Sequence, residues 1–81
     1  MLMKTMTCRQ LGGACDKEFN GSDFEEIAAL SKAHAMEMFR LGDKAHLRAM
    51  EAMRALMDIE GAMEAWLEEK RKAFDALPGN D

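Results

Sequence analysis

The chain has no tyrosine, one tryptophan, one proline and two cysteines in 81 residues, and aromatic residues make up only 6% of it. A β-sandwich or barrel draws its core from β-branched and aromatic residues, so this composition argues against one. No stretch approaches the ~18 consecutive apolar residues of a membrane span. The opening Met1-Leu2-Met3-Lys4-Thr5 lacks the apolar core that a signal peptide needs. An excess of basic residues is also missing: 11 Lys and Arg stand against 15 Asp and Glu, for a formal charge of −4. The basic residues lie between acidic ones, so no basic stripe forms and neither nucleic acid nor an anionic membrane is expected as a ligand. A cytoplasmic location is the expectation, where thiols stay reduced and two neighbouring cysteines point to metal or redox chemistry before a structural disulfide. No nucleophile–base set and no phosphate-binding glycine loop occurs, so the protein is expected not to be an enzyme.

What is present is helix-forming. Hydrophobic residues reach 48% and are supplied mainly by Ala, Met and Leu. The length suits one domain over residues 1–81 with a core that is marginal alone, so a metal, a staple or a partner chain is expected to support it. Lys4 to Arg9 alternate loosely and carry two threonines, which predicts a strand. Gly12-Gly13 predicts a turn, Cys15 to Phe19 a returning strand, and Asn20-Gly21 its end. Ser22-Asp23-Phe24-Glu25 reads as a capping box that opens a helix. Phe24, Ile27, Ala28, Ala35, Met38 and Phe39 recur at three- and four-residue steps on one face of that helix. Gly42 is placed to end it and Asp43 to cap the next.

From Asp43 to Leu77 the pattern predicts a single long helix. Ala45, Ala49, Ala52, Leu56, Ile59, Met63, Trp66, Ala73 and Leu77 follow helical spacing, and Pro78-Gly79 stops it. Gly61 offers a break, but no Ser, Asp or Pro follows to start a new helix, so a continuous or kinked rod is favoured. Such a rod of about 50 Å would outrun a first helix of about 30 Å. Met63, Trp66, Phe74 and Leu77 would then form an uncovered apolar stripe, widened at its start by Leu47 and Met50. The expected architecture is α+β and mostly α. A β-hairpin packs on a helix over residues 1–42, a long association helix covers 43–77, and residues 78–81 form a disordered tail. The expected partner is a second copy in a symmetric dimer, or another protein docked on the stripe.

Cys8 and Cys15 flank the Gly-Gly turn, six residues apart, where a closing hairpin can bring their sulfurs together. Zinc and similar ions take about four ligands, preferring thiolate and imidazole. His34, on the side of the helix that the hairpin must cover, is the third candidate. The fourth place is open among His46, Glu37, Asp16, solvent and a partner chain. The alternative is a pair of small buried thiols beside a core histidine.

The run Lys4-Thr5-Met6-Thr7-Cys8-Arg9-Gln10-Leu11-Gly12-Gly13-Ala14-Cys15-Asp16 resembles the opening of a family of small prokaryotic proteins described as predicted small metal-binding proteins. The resemblance covers about residues 3–40 and extends to Phe19 in the strand, Phe24-Glu25-Glu26-Ile27 at the helix start and His34 as the family's first histidine. It implies a metal site on Cys8, Cys15 and His34. The family often carries a second histidine shortly after the first, but here Ala35-Met36-Glu37-Met38-Phe39 holds none before His46. The chain from Asp43 onward lies outside the resemblance.

Other signals read blandly. The nine methionines could be drawn as soft copper ligands, but Met at helical spacing is usually adaptable packing. Glu68-Glu69-Lys70-Arg71-Lys72 reads as a solvated face with i,i+4 pairs. A thiol redox role would need an activated thiolate, and neither cysteine opens an evident helix.

Overall fold

The computed structural model describes residues 3–79. Two strands, β1 (Lys4–Thr7) and β2 (Glu18–Gly21), pair antiparallel with Lys4 opposite Gly21 and Met6 opposite Phe19. The ladder is offset from the expected one. Asn20 and Gly21 belong to β2 instead of ending it, while Cys15 lies outside the ladder. Between the strands runs a loop with a 3₁₀ turn at Arg9–Leu11, and both cysteines sit on it. Met6 and Phe19 alternate inward with their strands and are buried, as the period of two requires.

Helix α1 (Phe24–Leu41) crosses the inner face of this hairpin. Its cap is shifted by one residue from the expected box. Asp23 accepts from the Glu26 amide, and the Glu26 carboxylate reaches back to the Ser22 amide. The shift turns Phe24 and Ile27 inward, and Ile27 is fully buried. Phe39, expected on the same face, is instead 66% exposed. Eighteen residues carry the helix beyond a four-residue hairpin, so its last turns have no sheet to cover. Gly42 ends α1 in the left-handed conformation, as expected, and Asp43 caps α2 (Lys44–Met57).

The single long helix does not form. The chain turns at Asp58–Gly61 and runs back as α3 (Ala62–Ala76). Gly61 takes φ +78°, a conformation open to glycine and costly for other residues, and α3 starts without a side-chain cap. The missing cap misled the sequence reading because the compensation lies far away in the chain. Phe74 lands edge-on against Phe24, with ring centroids 6.2 Å apart, and is only 4% exposed. Burying such a ring is worth about 2–3 kcal/mol, more than the missing cap costs. Lys4 Nζ donates to the carbonyls of Phe74 and Asp75, both at 3.1 Å, and so satisfies the end of α3 from strand β1. Arg71 stacks over Phe24 and pairs with Glu25.

The expected interface stripe is thereby redistributed. Phe74 belongs to the core and Leu77 packs against it. Trp66 is half-buried, with its ring lying against Gly12, and Met63 is half-buried. Leu47 and Met50 are half-buried as well and line a shallow cavity on α2 together with Phe39. Residues 80 and 81 of the expected tail lie outside the described residues. Among the described residues no helix is long and apolar enough to cross a membrane.

If α3 folds back as described, Phe74→Ala removes a core ring and lowers unfolding free energy by about 3 kcal/mol. Chemical denaturation measures this. A change below about 0.5 kcal/mol would place Phe74 on the surface of an extended rod.

Candidate metal centre

Each member of the candidate site is positioned by local backbone chemistry. Cys8 follows β1 directly. Its amide continues the ladder to the Lys17 carbonyl at 2.8 Å, and its carbonyl accepts from Leu11 and Gly13 at 3.0 and 2.8 Å. The Arg9 amide donates to the Cys15 carbonyl at 2.9 Å, which closes the loop on itself and sets the two cysteines side by side. Gly13 is needed where it stands, because a Cβ there would lie 2.1 Å from Cys8 Sγ. The Gly-Gly signal therefore marks a place where backbone must pass the sulfur closely.

His34 is seven residues beyond the fully buried Ile27, two turns on along the same face of α1. That places its ring beside Phe19, with centroids 5.7 Å apart, and its Nε2 3.3 Å from Cys15 Sγ. His46 comes from α2, across the Gly42 turn. Asp43 holds it twice through one oxygen: Oδ2 accepts from the His46 amide at 3.0 Å and from Nδ1 at 2.6 Å. With Nδ1 engaged, Nε2 faces inward, 3.6 Å from Cys8 Sγ. The two imidazoles meet at 80° with centroids 5.2 Å apart, an edge-to-face arrangement that lets both Nε2 atoms point at one centre.

One ligand atom from each of Cys8, Cys15, His34 and His46 thus falls within 4.8 Å of every other. A tetrahedral ion with sulfur at about 2.3 Å and nitrogen at about 2.0–2.1 Å holds its sulfur and nitrogen ligands about 3.5 Å apart. The sulfur–nitrogen distances of 3.6 and 3.3 Å match that spacing. A lone imidazole–thiol hydrogen bond could span the same gap. Four soft or borderline donors converging from three elements are what a metal site requires. Of the alternatives for the fourth place, His46 is the one the structure brings in. Asp16 is exposed and paired with Arg9 at 3.1 Å, and Glu37 is exposed, 4.0 Å from Arg40.

The electrostatics distinguish the two histidines. The Asp43 carboxylate holds His46 above the ordinary imidazole value, and His46 in turn holds the Asp43 carboxyl below its own. Desolvation pushes His34 down, and the nearby His46 adds to this. His34 is therefore held toward the neutral form, the form that can ligate a metal. The basic His46 is supported as a metal-bound histidine usually is, by a carboxylate on its other nitrogen. Asp43, expected from the sequence as a helix cap, also orients His46. The spacing Asp43-x-x-His46 was the available signal, since the third residue of a capped helix lies beside its cap.

Comparison with protein-family models, with curated proteins and with solved structures gives no match to this chain.

Two substitutions probe the geometry. Gly13→Ala is expected to weaken zinc binding at least tenfold by chelator competition, because Cys8 Sγ must move, and Gly61→Ala, far from the loop, is expected not to. Asp43→Asn should cost about 10–100-fold in the same assay by removing the carboxylate behind His46. Unchanged affinity in both Gly13→Ala and Asp43→Asn would exclude this centre as the binding site.

Proposed function

We propose that the protein is a small, non-enzymatic zinc-binding protein whose ion is held by Cys8, Cys15, His34 and His46. The observation that carries the reading is the convergence of these four donors within 4.8 Å. Two thiolates with two imidazoles in a tetrahedron favour zinc over calcium or magnesium, which prefer oxygen. The bound ion would join the cysteine loop to both α1 and α2. With six buried hydrophobic residues among the described ones, that tie supplies folding free energy as much as it uses it. The resemblance to small metal-binding proteins agrees with this reading over Cys8, Cys15 and His34. His46, reaching back across the Gly42 turn, would take the place of the family's second histidine.

A helical interaction module with merely buried thiols is the competing reading. It gives no reason for two imidazole nitrogens to face the two sulfurs, nor for a carboxylate to hold one ring in place.

Protein purified without added metal should contain one zinc per chain, and the Cys8→Ser/Cys15→Ser variant should lose it. Metal below about a tenth of an equivalent in both would overturn the proposal.

The pH dependence follows from the ligands. Binding displaces both thiol protons, and His46 adds a third as pH falls, because its raised basicity lets a proton compete for Nε2. His34, pushed down, contributes no such competition near neutrality. Zinc affinity is therefore expected to fall by about a hundredfold or more per pH unit below neutrality. A fall of less than about tenfold in chelator titrations would exclude paired thiolates as ligands.

A further inference from the structure

The described fold is a plate, with extents of 35 × 30 × 15 Å. Its radius of gyration, 12.9 Å, exceeds the about 11.7 Å of a compact domain of this length. Its accessible surface of 5687 Å² exceeds by roughly 800 Å² the about 4,900 Å² of a compact monomer of 9.1 kDa. That excess equals about one partner's share of a standard protein interface.

A continuous apolar face lies on the side formed by α1 and α2. Three adjoining cavities of about 400, 270 and 230 Å³ all share Met50. Ala35, Met50 and Met53 form their walls, and Met36, Phe39 and Met57 project around them, each about two-thirds exposed. The face therefore carries both ridges and a groove to receive them, the self-complementary relief that a two-fold contact requires. Its rim carries both charge signs, with Lys32 and Arg54 positive and Glu51 negative. Among the described residues none of the three has an ion-pair partner. The opposite signs of Glu51 and of Lys32 and Arg54 let two copies pair charges across such a contact.

The largest of these three cavities is lined on one side by Cys8 and His46. Whatever fills the groove therefore also closes this approach to the metal ligands.

We propose that the α1–α2 face is a homodimer interface, and that the second copy seals the groove beside the metal centre, so that zinc leaves the dimer more slowly than the monomer. The interface stands on the surface relief alone; the sealing rests on the zinc reading above.

Sedimentation or light scattering over a range of concentrations, with zinc content measured on the same samples, tests both parts. The wild-type protein should show twice the 9.1 kDa chain mass. Phe39→Glu and Met50→Glu should be monomeric with helical circular dichroism and one zinc retained, and Leu67→Glu, on α3, should remain dimeric. Zinc transfer to a chelator should slow at least fivefold as wild-type protein is concentrated through its dimerisation range, and should be fast and concentration-independent in Phe39→Glu. A wild-type monomer at all concentrations, or dimers that survive both glutamate substitutions, would overturn the interface. A dimer whose zinc transfer ignores concentration would overturn the sealing. Absence of zinc from a dimer would overturn the metal reading and the sealing while leaving the interface standing.

Discussion

The rest of the structure depends on the meeting of four side chains, Cys8, Cys15, His34 and His46, because they are where the hairpin loop, α1 and α2 come together. The hydrocarbon core is small. In it Met6, Phe19, Phe24, Ile27 and Phe74 pack around the start of α1, and it meets the cluster at Cys8, which belongs to both, and where Phe19 lies beside His34. Two strands of four residues cannot stand alone, and α2 brings a single buried residue, His46, to the fold. Without the cluster, little holds α2 to the hairpin. An ion bound there would be a structural cross-link between elements that hydrophobic burial leaves loosely joined.

Capping explains how a short chain can build such a cluster. Gly42 stops α1 in the left-handed conformation, and Asp43 both caps α2 and takes the Nδ1 hydrogen bond of His46. One carboxylate oxygen thus begins a helix and orients a ligand. On the other side, Gly13 lets the loop backbone pass Cys8 Sγ closely enough for both thiols to face the imidazoles. The distant end of the fold uses the same economy, since Lys4 satisfies the last carbonyls of α3 from the first strand.

Features that rest on local chemistry could be read from the sequence. The mixture of hairpin and helices, the end of α1 at Gly42, the cap at Asp43 and the pairing of the two cysteines with His34 all follow from spacing and turn residues. Features that rest on distant contacts could not. The turn at Asp58–Gly61 has no side-chain cap of its own and is stabilised by Phe74 meeting Phe24, nearly fifty residues away, so a continuous rod looked better locally. His46 is one of several candidates in the sequence because Gly42 and Asp43 mark a turn between α1 and α2 without fixing the angle at which α2 returns beside His34. The offset of the ladder came from Gly21, whose backbone lies so close to Ile27 that only glycine fits there, and not from any weakness in the strand.

The proposed centre is defined by the atoms that would surround its ion. X-ray absorption at the zinc edge of the metal-loaded protein reads them directly. The centre predicts a four-coordinate shell of two sulfurs at about 2.3 Å and two imidazole nitrogens at about 2.0–2.1 Å. A shell of nitrogen and oxygen with no sulfur would contradict it.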